Sequence, residues 1–440
     1  MMIAQLTRPE ASLLSPVAAR PRLLDVPLTH RETLGEYLER GGYATEVWRR
    51  SPAELIELVE ASGLRGRGGS AFPTGTKWRS VAEEPGRRVV LVNGAESEPA
   101  SRKDYTLLVT RPHLVIEGAL LAARAVGADE CVIYTHDDQV KESVERARRE
   151  LRKAGAKLPR WRTVVAPATY VAGEASAAVN YVNGHDAKPT SKPPRVHQHG
   201  VAGRPTLVQN AETLAHVPLI ARHGPEWFRA AGSSDLLGTI LVTLSGAVQR
   251  PGVYEVPSGV PLEDVLVDLG GGTPGGIQAV LPGGYFAGWL PSSAVWEGVT
   301  LDPTCLRAKG SELGSAAITV IPEHVCGLWQ AVRLLRFFAD ESARQCGPCT
   351  FGTAAMADAL ERVALGNARP DDLERLRHYA KRMLPKRGAC GHLDGATIAA
   401  RTALRVFDDE ITTHLRYGGC GRPMRSVLPG LEDHHGKRNH

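Results

Sequence analysis

The densest chemical signal in the sequence is a glycine-rich loop at residues 64–78. Gly66, Gly68 and Gly69 leave backbone N–H groups open to an anion, and Lys77 adds a positive charge. The loop is not a Walker loop, because no Gly-Lys-Ser/Thr follows. It half-matches the dinucleotide pattern, but it follows a predicted helix and precedes a predicted strand, where that pattern requires the reverse. We expect it to hold a phosphate, with a plain turn as the alternative.

Polar side chains follow predicted strands in further segments. Asn93, Glu96 and Glu98 come directly after an apolar strand that begins near Val89. Ligands of open α/β sheets bind beyond the carboxyl ends of the strands, so these groups are expected to face a ring or a ribose, unless they only cap the loop. Similar segments are residues 170–174, 192–194 and 205–214.

The cysteines are clustered rather than spread as a disulfide framework. Cys346 and Cys349 form a Cys-X-X-Cys pair, which suits a redox disulfide, half a zinc site, iron–sulfur ligands or two buried thiols. Cys390 downstream favours a metal. Cys131 and Cys305 are interpreted as core residues, and the odd total of 7 cysteines indicates a reducing compartment.

Composition excludes several classes of protein. With 42% hydrophobic and 23% charged residues, the 440-residue chain is globular, and its length suggests two to four domains. The net charge of +5 does not argue for nucleic acid. Residues 146–162 are basic, typical of a solvated helix face; a dock for an acidic redox partner is the alternative.

Two further signals are weak or missing. His197 and His199 have no third ligand placed near them, which favours a plain loop over a metal pair. Residues 1–24 lack the apolar core of a secretory signal, and the sequence has no run long enough to span a membrane.

The element pattern changes twice along the chain. Ser51, Pro52 and Glu54 predict a capped helix that ends near Gly63. Strands and helices then alternate as far as residue 165, which predicts a mostly parallel sheet. After Gly238 the pattern is that of a small α+β module, and residues 324–414 are almost entirely helical in periodicity.

Taken together and in order, these segments resemble the flavin-binding, NADH-oxidising subunit of respiratory complex I and the related diaphorase subunits. The resemblance runs from about Ser51 to Leu415. It implies an α/β fold: a Rossmann-like FMN-binding domain, then a β-grasp (α+β) module of the soluble-ligand-binding type, then a C-terminal helical bundle with a four-iron cluster.

The resemblance also assigns roles to individual residues. Phe72, Glu98 and Lys192 match nicotinamide-nucleotide contacts, and Glu98 and Glu174 are the expected catalytic residues. Arg67, Gly69, Arg195 and Gln209 join the cofactor-binding set. The family's flavin contacts are matched by Gly66, Gly68, Lys77, Asn93, Glu96, Tyr170, Gly173, Glu174, Val208 and Asn210.

Several positions depart from the family pattern. Its Asp in the Asn-Ala-Asp-Glu run is Ala95, and the second Glu of its pair is Ala175. Two of its Phe positions are Ser80 and Arg195, and one Asn is Gln209. FMN binding therefore survives better than NADH binding. The loss of an acid at 175 and the gain of Arg195 favour NADPH more than the family pattern does.

The cluster run departs as well. The resemblance matches Cys346, Cys349 and Cys390 to iron ligands, whereas the remaining ligand position is Ala343. An iron–sulfur cluster normally takes four protein ligands. Cys326 and Cys420 are conceivable replacements that do not lie at the family's ligand positions.

The sequence thus predicts an FMN-dependent NAD(P)H:acceptor oxidoreductase of the diaphorase type that passes electrons to an iron–sulfur cluster or a partner. A degenerate scaffold or binding subunit of the same fold is the alternative. The expected partners are the nucleotide and a redox subunit or ferredoxin-like protein, in the cytoplasm or peripheral to a membrane complex. The expected domains are a lead-in (1–45), an FMN and nucleotide domain (46–235), a β-grasp module (236–322), a helical iron–sulfur domain (323–420) and a polar tail (421–440).

Overall fold

The protein was analysed as a computed structural model, in which residues 21–431 are described. The chain divides into two compact units. The first comprises residues up to Ser97, Arg102–Val242 and Gly252–Val260, and the second comprises Glu98–Ser101, Thr243–Pro251 and the residues from Pro261 onward. Residues 1–20 of the predicted lead-in and 432–440 of the predicted tail lie outside the described residues.

Helices make up most of the regular structure. In chain order they are α1 Leu34–Glu39, α2 Thr45–Trp48, α3 Pro52–Ser62, α4 Thr74–Ala82, α5 Lys103–Thr110, α6 Pro112–Val126, α7 Asp138–Lys153, α8 Ala175–Val182, α9 Ala211–His223, α10 Pro225–Arg229, α11 Leu262–Asp264, α12 Ser293–Trp296, α13 Pro303–Ala308, α14 Gly327–Asp340, α15 Thr353–Ala364, α16 Asp372–His378, α17 His392–Val406 and α18 Asp408–Tyr417. Single 3-10 or π turns supplement them at Tyr170–Gly173, Val201–Gly203, Val265–Leu269, Tyr285–Ala287, Pro348–Gly352 and Tyr379–Met383.

The strands form two sheets. They are β1 Arg88–Asn93, β2 Ala128–Thr135, β3 Arg160–Val165, β4 Thr206–Asn210, β5 Thr239–Gly246, β6 Gly252–Pro257, β7 Ile277–Leu281, β8 Leu290–Pro291 and β9 Ala317–Pro322. The first sheet has the order β3-β2-β1-β4 and is parallel throughout. This confirms the predicted α/β architecture with a parallel sheet.

The first sheet is buried because its central strand is apolar on both faces. Val89, Val90, Leu91 and Val92 are fully buried in β1, as expected for a parallel strand covered by helices. The strand order reverses at β1, which has β2 on one side and β4 on the other. Such a switch point leaves a crevice at the carboxyl ends of the strands, where ligands of open α/β sheets bind.

The predicted helix start at Ser51 is confirmed in detail. The Ser51 Oγ accepts from the Glu54 backbone N–H at 3.3 Å, and the Glu54 carboxylate accepts from the Ser51 N–H at 2.6 Å. This is a capping box, and the helix ends at Gly63 in the left-handed region, where φ is 68°. The predicted helices near residues 113–126 and 139–154 are confirmed as α6 and α7.

Two local predictions were wrong. The glycine loop does not lead directly into a strand, because α4 lies between the loop and β1. Pro73 precedes the first residue of α4 and Gly75 lies inside it, which gave this stretch the appearance of a turn. The predicted loose lead-in contains α1, which begins with a capping box of Thr33 and Glu36.

The second sheet is mixed, with the order β6-β5-β9-β7-β8. β5 runs parallel to β9, whereas β7 is antiparallel to both β9 and β8. The described chain from Gly327 to Tyr417 is helical except for turns and loops, as predicted. Among the described residues no single helix is long and apolar enough to cross a membrane. Only α5 and α6 taken together satisfy that length and composition, and they are bent by 97°.

Candidate functional site

The carboxyl ends of β1 and β4 bring two asparagines side by side. Asn93 and Asn210 are register partners at the last positions of these strands. The Asn93 amide donates to the Gly173 carbonyl at 2.8 Å and its side-chain oxygen accepts from the Ala95 N–H at 3.3 Å. Residues 93–95, 173 and 210 therefore meet at the switch-point crevice, as the sequence predicted for segments that follow strands.

The glycine loop folds against the same edge of the sheet. The Gly66 N–H donates to the Phe72 carbonyl at 2.9 Å, which closes the loop, and the Arg67 N–H donates to Thr213 Oγ1 at 2.8 Å. A Cβ on Gly68 would lie 3.2 Å from the Asn210 Cβ. The loop thus approaches β4 with only hydrogen on that face. We call the crevice lined by this loop, Asn93, Gly173 and Asn210 the cradle.

A second close approach needs glycine at position 173. A Cβ there would lie 2.5 Å from Ser97 Oγ and 3.4 Å from the Ala95 carbonyl oxygen. Ser97 is held in turn by His136, whose Nε2 lies 3.0 Å from its Oγ. The 3-10 turn at Tyr170–Gly173 can therefore pack against the loop after β1 only because residue 173 has no side chain.

Lys77 is a partly buried cation without a carboxylate partner among the described residues. Its ammonium donates to the Val208 carbonyl at 2.6 Å, and burial lowers the pKa of Lys77 to about 8. An ammonium kept from water is costly unless a negative charge offsets it. The contact with Val208 brings together two residues predicted to bind the cofactor.

Two more buried polar groups in the cradle's surroundings lack partners within the described chain. The Nε and Nη1 atoms of Arg67 and the Oε1 atom of Gln209 are buried and make no hydrogen bond, although Arg67 Nη2 donates to the Leu237 carbonyl at 2.6 Å. Burial lowers the pKa of Arg67 to about 10, opposed by Glu212. Unpaired buried donors and acceptors of this kind are typical of sites that bind a polar ligand.

A buried ion network supports the cradle from below, and sequence reasoning missed it. Lys103 Nζ lies 3.0 Å from Asp104 and 2.8 Å from Glu212, and all three side chains are almost fully buried. Asp104 also accepts from the Asn210 amide at 2.7 Å and from the Glu212 N–H at 3.1 Å. Burial opposes the charge of Lys103, but the two carboxylates outweigh it and raise the pKa of Lys103.

This network fixes Asn210 from the side opposite the glycine loop. Its members come from α5 and from the start of α9, more than a hundred residues apart. The signal available in the sequence was an adjacent Lys-Asp pair in an otherwise apolar helix, and that pattern alone does not identify a partner.

Glu174 and Lys192, predicted separately, lie together. Lys192 Nζ donates to Glu174 Oε1 at 2.9 Å. The other carboxylate oxygen caps α8 by accepting from the Ser176 N–H at 2.7 Å and the Ala177 N–H at 3.3 Å. Burial opposes ionisation of Glu174, but Ser176 and Lys192 outweigh it and hold its pKa below the ordinary value.

The other two acidic residues of the predicted set have structural contacts. Glu96 accepts from the backbone N–H groups of Asp104 and Tyr105, at 3.2 and 3.0 Å, and so caps α5. Glu98 lies in the second unit, where it accepts from the Tyr285 N–H at 2.9 Å. Capping was the bland alternative for these loops, and it accounts for the position of both carboxylates.

Exposure separates the remaining predicted residues. Phe72 is a large apolar side chain that is 48% exposed at the tip of the glycine loop. Lys192 and Arg195 are exposed, and Arg195 belongs to a turn closed by its N–H to Gln198. His197 and His199 lie in that same loop, where His197 approaches only Glu84, at 4.0 Å. The basic run of α7 is partly neutralised by pairs of Arg146 with Glu142 and Arg148 with Glu145.

The second unit gathers the predicted metal cysteines. Cys349 lies in the turn Pro348–Gly352, and Cys390 lies just before α17. Burial raises the pKa of Cys349 to about 11, and the nearby thiols of Cys346 and Cys390 raise it further, whereas Ser342 lowers it. Ser342 Oγ donates to Cys349 Sγ at 3.1 Å. Three thiols and one hydroxyl thus surround the place where the family pattern has a fourth cysteine.

Comparison with known proteins agrees with these two sites. The family model described as the Nuo51 FMN-binding domain matches residues 59–219, and that of the NADH-ubiquinone oxidoreductase-F iron-sulfur binding region matches residues 329–414. An SLBB domain matches residues 241–281. In Rhizobium meliloti (strain 1021), F subunit 2 of NADH-quinone oxidoreductase is 34% identical over 417 residues, which is 91% of this chain and 98% of the relative.

The chain belongs to the family of NADH-quinone oxidoreductase F subunits. The member from Streptomyces coelicolor (strain ATCC BAA-471 / A3(2) / M145) is 34% identical over 88% of this chain and 89% of its own. Among solved structures, a chain of an NAD⁺-reducing [NiFe]-hydrogenase in the H₂-reduced state superposes with a TM-score of 0.79 at 31% identity, covering 90% of this chain and 69% of that one. The resemblance inferred from the sequence is confirmed.

The family matches also delimit what they explain. The FMN-binding match spans the glycine loop, the ends of β1 and β4 and the segment that contains Glu174. The iron–sulfur match spans Cys346, Cys349 and Cys390. Cys326 and Cys420 lie outside it, on either side.

Proposed function

We propose that this chain is the NADH-oxidising flavoprotein subunit of an electron-transfer complex: it takes a hydride from NADH with FMN and passes single electrons to an iron–sulfur cluster. The observation that carries the proposal is the cradle at the switch point of the first sheet. There a glycine loop, a buried ammonium without a carboxylate and two strand-end asparagines converge. FMN, when bound, supplies a hydride acceptor that can release electrons singly.

The residues of the cradle fit a flavin with its phosphate at the glycine loop. Lys77 would meet the phosphate, because a dianion offsets the cost of its partly buried ammonium. The loop N–H groups near Gly66, Gly68 and Gly69 would donate to it. Asn93, Val208, Gln209 and Asn210 lie at the ends of β1 and β4, where their polar atoms suit the ring edge or the ribityl hydroxyls.

Further proposed contacts complete this set. The Nε and Nη1 donors of Arg67 have no partner in the described chain, which suits an anionic or carbonyl ligand. Tyr170 and Gly173 form the 3-10 turn that packs beside Ser97. Glu96 contributes by capping α5, so we assign it a positioning role.

Nucleotide binding is proposed for a second group of residues. The exposed ring of Phe72 offers a stacking surface for a base. The carboxylate of Glu174 is held ionised by Lys192, so it can accept hydrogen bonds from ribose hydroxyls once Lys192 turns to the pyrophosphate. Arg195 lies on the same exposed segment as Lys192. The predicted catalytic role of Glu98 stays a prediction.

Cys346, Cys349 and Cys390 are proposed to hold the iron–sulfur cluster. Thiolates are the usual cluster ligands, and Ala343 supplies none. Ser342 is proposed as the oxygen ligand that completes the set, since its Oγ already lies 3.1 Å from Cys349 Sγ.

The finer architecture is also proposed. The α+β module is a β-grasp of the soluble-ligand-binding type over residues 236–322, preceded by the FMN domain (46–235) and followed by a helical iron–sulfur domain (323–420). The matched relatives are named as subunits, which supports assembly with a redox partner subunit. A place on the cytoplasmic side, peripheral to a membrane complex, fits such a role.

The test is NADH-dependent reduction of an artificial acceptor by the FMN-loaded protein, compared with its Lys77→Met and Arg79→Met variants. We expect turnover in the wild type and in Arg79→Met, whose side chain pairs with Glu60 of the neighbouring helix α3. Turnover should be lost in Lys77→Met. Flavin binding without turnover would favour the degenerate scaffold, which the substitutions at positions 95, 175 and 343 support.

A further inference from the structure

Three ligand-type side chains outside the proposed cluster converge at one end of the helical region. Cys326 Sγ, a ring nitrogen of His414 and Cys420 Sγ all lie within 4.8 Å of one another. Cys326 and His414 are buried, and Cys420 is half-buried. These cysteines were the conceivable replacements for the missing cluster ligand, but the structure places them with a histidine instead.

From this geometry we infer that Cys326, His414 and Cys420 bind a zinc ion, a structural metal site separate from the iron–sulfur ligands Cys346, Cys349 and Cys390. Two thiolates and an imidazole are a ligand set typical of Zn²⁺, with water at the fourth position. The inference does not depend on the proposed function, because Cys326 and Cys420 lie outside the family's iron–sulfur match.

The distance between the two buried ligand atoms fits a tetrahedral zinc. Zn–S bonds of about 2.3 Å and Zn–N bonds of about 2.0–2.1 Å at a tetrahedral angle place S and N about 3.6 Å apart. Cys326 Sγ and His414 Nε2 are 3.4 Å apart. The ion would therefore need only small shifts of these side chains.

The outer contacts of the histidine also suit a metal ligand. His414 Nδ1 lies 2.8 Å from the Ala364 carbonyl oxygen. A carbonyl only accepts, so Nδ1 must donate, and in the neutral ring the lone pair is then on Nε2, which faces Cys326. This arrangement, in which the second ring N–H donates to a backbone carbonyl, is usual for metal-binding histidines.

The surroundings of Cys326 favour a thiolate. Cys326 is the N-cap of α14, a helix of 14 residues, and its Sγ accepts from the Trp329 N–H at 3.4 Å. Helix N-termini stabilise thiolates. Its own N–H donates to the Pro423 carbonyl at 3.0 Å, so the start of α14 already contacts the segment that follows Cys420.

The role that follows is a clip between distant parts of the chain. The site joins the start of α14, the last turn of α18 and the turn after it. The other end of α14 leads directly to Ser342 and the cysteine run. A zinc here would fix the helix that presents the cluster ligands without contacting iron.

The experiment measures zinc and iron by mass spectrometry in the tag-free, full-length protein after dialysis against a chelator. The wild type is expected to retain about one zinc per chain. Cys420→Ser should lose most of the zinc while its iron and flavin contents stay unchanged. Cys305→Ser is the matched control, because Cys305 is also half-buried in the second unit but lies outside the triad; it should retain zinc.

A second measurement keeps the inference falsifiable if Cys420→Ser folds poorly. Cobalt added to zinc-free wild-type protein should give intense visible bands and a thiolate charge-transfer band, as tetrahedral sulfur-ligated Co²⁺ does. The inference would be overturned by wild-type protein without retained zinc, by loss of iron rather than zinc in Cys420→Ser, or by a Cys326–Cys420 disulfide after anaerobic alkylation. Zinc held equally by wild type and Cys420→Ser would point to the histidines of the terminal tail and would also overturn it.

Discussion

Replacing Lys77 by Met should stabilise the flavin-free protein while weakening FMN binding. The side chain is partly buried, its ammonium contacts only the Val208 carbonyl among the described groups, and burial lowers its pKa from 10.5 to about 8. Because the folded pKa is depressed, the unfolded chain holds the proton more tightly. The cost to folding is therefore fully present below about pH 8 and disappears as the pH rises past 10.5.

The size of the effect follows from that difference in pKa. Moving the pKa from 10.5 to about 8 corresponds to about 3 kcal/mol at pH 7, at about 1.4 kcal/mol per tenfold. Met removes this cost but also the hydrogen bond to Val208, worth about 1 kcal/mol. The flavin-free variant should gain about 2 kcal/mol, seen as a rise in Tm of a few degrees.

FMN affinity should change in the opposite direction. A charge-assisted contact with phosphate contributes about 1.5–3 kcal/mol, so the Kd of the variant should rise roughly tenfold to a hundredfold. Above about pH 8 the free wild-type protein must take up a proton to bind the dianion. Its Kd should therefore rise about tenfold per pH unit there, and this dependence should be absent from Lys77→Met.

Flavin fluorescence titrations and thermal melts of flavin-free protein measure both effects. Arg79→Met is the control: Arg79 lies on the same helix as Lys77, in an exposed pair with Glu60, so FMN affinity and its pH dependence should match the wild type. An unchanged FMN affinity in Lys77→Met, or a lower Tm together with weaker binding, would refute the placement of Lys77 at the phosphate.

Three further predictions concern the cradle, the nucleotide and the cluster. Gly68→Val should reduce FMN occupancy severalfold, because even its Cβ would lie 3.2 Å from the Asn210 Cβ, and flavin quantification after reconstitution checks this; full occupancy would show that the loop lies elsewhere. Ala175→Glu with Arg195→Phe should shift the ratio of kcat/KM for NADH over NADPH toward NADH by roughly tenfold, since an acid next to Glu174 repels a 2′-phosphate; an unchanged ratio would contradict the charge argument. Ala343→Cys should increase the iron retained after desalting and Ser342→Ala should decrease it, as measured by iron analysis; unchanged iron in both would show that another residue completes the ligand set.

Local signals in the sequence predicted much of the fold. The cap at Ser51, the stop at Gly63 and the apolar β1 strand each depend on neighbouring residues, and each lies where it was expected. Helix α4 was missed because Pro73 and Gly75 are typical of turns, although Pro73 only precedes the helix and Gly75 packs against Glu60 of α3.

The candidate site was predictable in position but less so in the role of each residue. Glu96 was predicted as a cofactor contact and caps α5, because a carboxylate after a strand serves either purpose and only the following helix decides. The Lys103, Asp104 and Glu212 network joins parts of the chain that no sequence spacing relates. The same holds for Cys326 and His414, which are 88 positions apart and meet only through helix packing.

The central claim is that this chain binds FMN in the cradle and reduces it with NADH. Anaerobic titration of the FMN-loaded protein with NADH, followed by visible absorption with flavin and iron quantified in the same sample, tests it most directly. We expect a protein-bound flavin spectrum that bleaches with NADH, with Lys77→Met failing to hold the flavin. A wild-type protein that binds no FMN, or whose bound FMN stays oxidised in the presence of NADH and NADPH, would contradict the claim.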